Sequence, residues 1–305
     1  MTAERPTRAG FAALIGEPNA GKSTLLNALV GAKLSIVTHK VQTTRFRVRG
    51  VAIHEATQIV FVDTPGLFAP KRRLDRAMVA DAWSGAADAD VVLLLIEAQR
   101  GLTDGVGRIL EGMGRHLPPG KPVALVVNKV DRVKPPELLT LTQRMTETRP
   151  FDEVFFTSAT KATGLEAMLD WLGRALPEGP WLYPEDQLGD APMRAIAAEI
   201  TREKLMLNLH QELPYQLTVE TERWDDQRDG SARIEQAVIV ARENHRPIVL
   251  GKGGQTLKRV GQAAREELSE MMGRKVHLFL RVAVDPKWQD DRERYEGMGL
   301  EFPGG

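Results

Sequence analysis

The chain has 305 residues, 41 basic against 41 acidic, and no cysteine. Roughly one domain per 150 residues is usual, so two domains are expected, and a neutral chain gives no global electrostatic argument for nucleic acid or membrane. Without cysteine there are no disulfides, no thiolate catalysis and no Cys-based zinc or iron–sulfur site, which suits a reducing cytoplasm.

Residues 1–9 are polar and lack an apolar leader core, so no secretory signal is expected. No run approaches the ~18 apolar residues of a membrane span. Residues 11–15 are apolar and predict a buried strand; residues 23–29 predict a helix. Between them, Gly16-Glu17-Pro18-Asn19-Ala20-Gly21-Lys22-Ser23 fits the phosphate-loop template G-x-x-x-x-G-K-[ST], with Thr24 next. Glycines let backbone N–H groups approach a phosphate chain, and a helix N-terminus adds partial positive charge. Lys22 is placed to reach the β- and γ-phosphates, and Ser23 to ligate Mg²⁺.

Residues 33–42 have no clear period and end in Gln42-Thr43-Thr44-Arg45. One reading is a movable loop whose hydroxyl, from Thr44 or Thr43, reaches Mg²⁺; the other is a plain polar loop. Residues 46–53 and 58–62 predict two strands. The second ends at Asp63-Thr64-Pro65-Gly66, a D-x-x-G arrangement. Asp63 would hold Mg²⁺ through water, and the Gly66 N–H would touch the γ-phosphate. Leu67 follows, where Ras-like enzymes carry a glutamine that orients the attacking water. Leucine cannot bond water, so either intrinsic hydrolysis is slow or another group positions the water.

A charged, then helical, stretch spans residues 68–84 and reads as a second mobile segment. Strand 91–96, helix 103–115 and strand 122–127 follow, and the last leads into Asn128-Lys129-Val130-Asp131. A carboxylate accepting two N–H bonds suits the N1 and N2 edge of guanine; adenine would leave Asp131 unpaired. Asn128 would tie loops together, and the Lys129 stem would lie against the base. Strand 153–156 leads to Thr157-Ser158-Ala159, where the N–H groups of Ser158 and Ala159 are expected at the guanine O6. Helix 164–176 presents Leu165, Met168, Leu169 and Leu172 on one face. The alternation predicts an α/β domain over residues 8–176: an open, mostly parallel sheet with helices on both faces and its motifs at strand C-termini.

Residues 177–190 are punctuated by proline and glycine and read as a linker. Residues 191–295 then predict a smaller α+β domain, and residues 296–305 a tail. Its elements are helix 192–209, strands 215–222 and 234–241, helices 246–250 and 255–272, and strand 276–284. The two consecutive helices are separated by Gly251-Lys252-Gly253-Gly254. Such a loop lets a sugar–phosphate backbone come close to helix N–H groups, with charge from Lys252, Lys258 and Arg259. From residue 242 to 275 there are eight basic and four acidic residues, in a chain that is neutral as a whole. A solvated helix face is the alternative explanation.

The order of the five motifs resembles the translation-factor-class GTPases. The wording Gly-Glu-Pro-Asn-Ala-Gly-Lys-Ser, Gln-Thr-Thr-Arg and Asp-Thr-Pro-Gly resembles the Era/EngA/MnmE branch, and the α-β-β-α-α-β half resembles a type II KH domain. Over about residues 8–295 the combination is similar to the Era family. That resemblance implies GTP and GDP as ligands with Mg²⁺, a role in ribosome assembly, and binding of the 16S rRNA 3′ end and the 30S subunit. It implies GTP-favoured RNA binding, release on hydrolysis, and a cytoplasmic protein with loose peripheral contact to the inner membrane. A monomer is expected. In that branch a hydrophobic residue at the Leu67 position is ordinary. The resemblance also offers Asn19 a K⁺ ion beside the phosphates; a loop-rigidifying turn residue is the other reading. The wording from Asp285 to Arg292 resembles the family's C-terminal region near its RNA surface. Two rivals stand beside it: an RNA-binding module with a slow nucleotide switch, and a small-molecule phosphotransferase. The Asn128-Lys129-x-Asp131 motif and the KH-like half oppose the second.

Overall fold

The structure, a computed structural model, describes residues 6–40 and 43–303. Gln42 of the Gln-Thr-Thr-Arg motif and the last two glycines lie outside the described residues. The chain forms two compact units. Among the described residues the first takes in 6–35, 43–190 and 298–303, the second 36–40 and 191–297.

The first unit runs β1 (Arg8–Gly16), α1 (Lys22–Val30), β2 (Val48–His54), β3 (Thr57–Asp63), α2 (Arg73–Asp88), β4 (Val91–Glu97), α3 (Asp104–His116), β5 (Val123–Asn128), α4 (Pro135–Thr148), β6 (Glu153–Thr157) and α5 (Leu165–Ala175). The sheet order is β2-β3-β1-β4-β5-β6, parallel except for the antiparallel β2–β3 pair. Side chains alternate across a strand, so β1 feeds two cores. Ala12 and Leu14 pack with Leu25 and Leu29 of α1 and Met168 and Leu172 of α5. Ala13 and Ile15 pack with Ala82 of α2, Ile109 of α3 and Met145 of α4. The strands buried on both faces are near-continuous apolar runs, such as Val91–Ile96, all buried. This is the doubly wound arrangement expected from the alternation of elements.

Helix α4 was not expected. Only Leu141 and Met145 along it are buried, one i,i+4 pair, which is too little to produce a periodic signal. The Pro135-Pro136 pair reads as a breaker in sequence, but it begins the helix, where a missing N–H costs nothing. Residues 177–190, read from the sequence as a linker, run along the first unit. The Gln58 carboxamide accepts from the Leu182 and Tyr183 N–H groups at 2.7 and 2.9 Å, and the Val51 N–H donates to the Leu188 carbonyl at 2.8 Å.

The second unit contains α6 (Met193–Asn208), β7 (Leu217–Asp226), β8 (Ala232–Val240), α7 (Arg246–Leu250), α8 (Gln255–Met272), β9 (Val276–Val284) and α9 (Arg292–Gly297). The sheet order is β7-β8-β9, the first pair antiparallel and the second parallel. Ala197, Ile200 and Leu205 of α6 and Val260, Ala264 and Leu268 of α8 cover one face of it. The short α9 is held by Arg294, which pairs with Asp285 at 2.5 Å and Glu220 at 2.6 Å.

A buried polar pair joins α6 to β8: the Thr201 hydroxyl donates to the Gln236 carboxamide oxygen at 2.6 Å, both side chains almost fully buried. Thr201→Val leaves that oxygen unpaired and should lower stability by about 1–3 kcal/mol, read from the urea midpoint of the full chain. Adding Gln236→Leu should return part of the loss.

Candidate functional site

The motifs gather at the C-terminal edge of the parallel strands. β1 ends at Gly16 and the chain turns through residues 17–21 into α1. Gly21 has φ 101°, and a Cβ there would lie 2.3 Å from the Asn128 amide nitrogen, so only glycine fits. The Lys22 side chain is buried and its ammonium donates to the Gly16 and Glu17 carbonyls at 3.1 and 3.0 Å. Burial lowers its pKa to about 8, opposed by the nearby carboxylates of Asp63 and Glu17.

Asp63, at the end of β3, has no solvent exposure. Its Oδ2 accepts hydrogen bonds from the hydroxyls of Ser23 (2.6 Å), Ser35 (2.9 Å) and Thr44 (3.4 Å). Ser23 and Thr44 hydroxyls are 2.9 Å apart. Among the described residues Oδ1 is buried without a hydrogen-bond partner. Burial raises the Asp63 pKa, while Lys22 and the three hydroxyls pull it down. Of the two threonines left open by the sequence, the structure brings Thr44 to this cluster. Ser35 was missed, because residues 33–42 carry no period that would mark one hydroxyl. Asn27 on α1 places it, accepting from the Leu34 and Ser35 N–H groups and donating to the Ser35 carbonyl.

The D-x-x-G loop lies directly on the phosphate loop. The Leu67 N–H donates to the Gly16 carbonyl at 2.9 Å, and a Cβ on Gly66 would come within 2.8 Å of the Pro18 nitrogen. Thr64 is tied back to β1 through the Leu14 carbonyl at 2.7 Å. The Leu67 side chain is buried in the core between the sheet and α2 and α3. It therefore offers nothing to a water molecule at the strand ends.

Asn128, also buried, is a three-way tie. Its amide donates to the Ala20 carbonyl at 3.0 Å, and its oxygen accepts from the Thr157 hydroxyl and the Ala159 N–H at 3.2 and 3.3 Å. Lys129 holds φ 62° and its ammonium meets the Asn19 carbonyl at 2.7 Å and Glu97 at 3.0 Å. Asn19 itself sits at φ 67°, a conformation asparagine tolerates better than most residues. The Asp131 carboxyl is solvent-exposed beside Ser158, whose hydroxyl holds its pKa below the usual range. The two N–H groups expected at a base oxygen already have acceptors: Ser158 donates to Thr163 at 3.1 Å, Ala159 to Asn128. An exocyclic oxygen would compete with these acceptors.

In the second unit α7 stops at Gly251, and a single turn over Lys252–Gly254 leads into α8. Gly253 and Gly254 have φ of 59° and 77°, and open space surrounds the position of a Cβ on either. Lys252, Lys258 and Arg259 are exposed around this turn.

Family models match both units: "50S ribosome-binding GTPase" over residues 11–129 and "KH domain" over residues 212–289. The chain is 64% identical to GTPase Era of Dinoroseobacter shibae, covering 98% of this chain and 97% of the relative, and 59% identical to GTPase Era of Mesorhizobium japonicum, covering 99% and 97%. The chain belongs to the Era family. Two solved Era structures superpose with TM-scores of 0.90 at 38% identity, covering 96% of this chain and 99% of theirs. One is an Aquifex aeolicus Era variant bound to GDP·AlF4⁻; the other is an Era complex with MgGDPNP and nucleotides 1506–1542 of 16S ribosomal RNA.

The lowered pKa of Lys22 gives this Era-family site a pH dependence with a definite sign. Above about pH 8 the folded, unliganded protein loses a proton that an anionic ligand requires. Affinity for GDP should therefore fall as pH rises past about 8, and binding there should take up protons. Titration calorimetry in two buffers of different ionisation enthalpy should detect uptake well above that pH and none well below it. For the unliganded chain the unfolded state binds more protons between about 8 and 10.5, so this group's contribution to stability rises with pH across that window.

Proposed function

We propose that the first unit binds and hydrolyses GTP and that the second binds the 3′ end of 16S rRNA, so that the chain acts as a ribosome-assembly GTPase on the 30S subunit. The observation that carries the GTP half is the convergence of Ser23, Thr44 and Asp63 beside Lys22. Kinship to an Era complex holding both a GTP analogue and 16S rRNA carries the RNA half.

The roles follow from chemistry. The backbone N–H groups of the stretch Gly16 to Thr24, all but Pro18, would cradle the phosphates, with Lys22 turning from its carbonyl acceptors to the β- and γ-oxygens. The donor set of Ser23, Thr44 and Asp63, with one buried carboxylate oxygen unpartnered, fits Mg²⁺, a hard cation that keeps waters and phosphate oxygens as its other ligands. Mg²⁺ held there would neutralise charge on the transferring phosphoryl group. Gly66 would present its N–H to the γ-phosphate from the loop packed on Pro18, with Thr64 and Pro65 holding that loop. Asp131 would accept from guanine N1 and N2, with Lys129 along the base and Asn128, Ser158 and Ala159 fixing the pocket wall. Leu67 lends no group to the attacking water, so basal turnover should be slow. For Asn19 we carry the K⁺ reading as a proposal: turnover should be higher in K⁺ than in Na⁺.

The Gly251–Gly254 turn, exposed at Lys252 and Gly253, is with Lys258 and Arg259 the proposed RNA contact. Coupling to the nucleotide rests on residues 36–40. Their flanks, Ser35 and Thr44, bond Asp63, while the segment itself belongs to the second unit. There the Val37 N–H donates to Glu203 at 2.8 Å and the Lys40 ammonium to the Leu209 carbonyl. Lys204, next along α6, pairs with Glu267 of α8, the helix that begins at the glycine turn. Ordering of the loop by the γ-phosphate would thus bear on α6 and α8, with GTP favouring RNA binding. Action as a monomer and a peripheral contact with the inner membrane are carried from family resemblance alone; among the described residues no helix is long and apolar enough to cross a membrane.

Two measurements test this reading. Asp131→Asn should reduce GTP affinity by at least about tenfold and transfer preference to xanthosine triphosphate, because the amide N–H donates to the exocyclic O2 of xanthine where the carboxylate accepted from the 2-amino N–H of guanine. Fluorescence anisotropy with a single-stranded oligonucleotide from the 16S 3′ end should show tighter, sequence-selective binding with a GTP analogue than with GDP. Lys252→Asp with Gly253→Asp should abolish it. The log–log salt slope should be about −0.7 for each phosphate neutralised. Equal binding of target and scrambled RNA in both nucleotide states would overturn the coupling and the target.

A further inference from the structure

A carboxylate inside a phosphate loop is a liability, since like charge at close range repels the ligand. Glu17 stands at the second position of that loop, yet its side chain is turned away and mostly buried, 17% exposed. Its Oε2 accepts from the Thr103 hydroxyl at 2.8 Å. Thr103 is the N-cap of α3, and the same hydroxyl oxygen accepts from the Val106 N–H at 3.1 Å. Arg100 lies 3.8 Å from the same carboxylate oxygen. The seat exists because residue 105, in the first turn of α3, is glycine. A Cβ there would fall 1.8 Å from Glu17 Oε1 and 2.6 Å from its Cδ. The negative charge thus rests where a helix N-terminus favours it.

The backbone that this side chain anchors is the part that holds Lys22. Both acceptors of the Lys22 ammonium are carbonyls of the anchored stretch, Gly16 and Glu17. Further along, the Asn19 and Ala20 carbonyls are held by Lys129 and Asn128. The Glu17 side chain, through Thr103 and the space at Gly105, attaches this stretch to the start of α3. We propose that Glu17 is a positioning residue of the phosphate loop: docked on Thr103 in the niche left by Gly105, it keeps its own charge off the phosphates and fixes the carbonyls that set the resting place of Lys22. The inference rests on the GTP reading above and deepens it, adding Thr103 and Gly105 as residues on which nucleotide retention depends.

The test is a double-mutant cycle on the full chain, with release of a fluorescent GDP analogue and thermal unfolding without nucleotide as its two readouts. Gly105→Ala is mild for the helix itself, since alanine is the better helix former. It should nevertheless expel the carboxylate and speed GDP release about tenfold, the scale of one hydrogen bond to a charged group. Glu17→Ala should do the same. Combining them should add nothing further, because the alanine methyl then enters space the carboxylate has left. Glu17→Gln keeps an acceptor for Thr103 and should remain close to wild type in release rate. Wild-type release rates in both single variants would overturn the proposal, as would additive effects in the double variant or a Glu17→Gln variant as fast as Glu17→Ala. A fall in melting temperature with unchanged GDP release would reduce Glu17 to a structural tie and equally overturn it. Failure of the wild-type chain to bind the GDP analogue would count against the GTP reading alone. The contact between Glu17 and the Gly105 niche is then read from the nucleotide-free unfolding cycle, where additive melting-temperature changes overturn the proposal.

Discussion

Asp63 is a carboxylate without access to solvent, and such a group has to be matched by donors or a cation. Three hydroxyls from three stretches of chain converge on one of its oxygens, and the Lys22 ammonium lies near enough to stabilise its charge. Meeting that requirement draws the start of α1, residue 35 and residue 44 onto the end of β3. Among the described residues the second oxygen has no hydrogen-bond partner, so it is open to a further electropositive group. The rest of the site is arranged around this point.

The parallel sheet supplies the geometry. Strands that run the same way deliver their following loops to one edge, and the loops after β1, β3, β5 and β6 all meet there. Adjacency alone does not hold loops still. Side chains do that: Asn128 spans from the phosphate loop to the loop after β6, Lys129 reaches the Asn19 carbonyl, and Glu17 reaches Thr103. The first two ties engage backbone carbonyls and an amide and the third a side chain, so the phosphate loop is held at several points without a ligand. That is the pre-organisation that a charged ligand in a low-dielectric site needs.

The second unit solves a different problem. Two helices must approach end to end and leave their backbone accessible. Gly253 and Gly254 take up left-handed backbone in open surroundings, while α6 and α8 cover the sheet behind them. The short segment 36–40 joins this unit although both its neighbours in sequence serve the Asp63 cluster.

Much of this was legible in the residues. Fixed spacing of glycine, lysine, serine, aspartate and asparagine at strand ends is a local pattern, because phosphate and guanine recognition demand particular groups a few residues apart. Strand and helix types were legible where burial is strong, as in Val91–Ile96 and α5. What depended on distant partners was not legible. Ser35 and Thr103 are ordinary hydroxyls until folding puts Asp63 and Glu17 beside them. Helix α4, with one buried pair, has no periodic signature. Residues 177–190 look like a linker until Gln58 is seen to bind them. The sequence by itself determined the chemistry available, since motif residues carry their donors and acceptors wherever they lie. The tertiary structure alone decided which hydroxyl meets Asp63, where Glu17 points and which unit holds residues 36–40, because those outcomes depend on contacts between residues far apart in the chain.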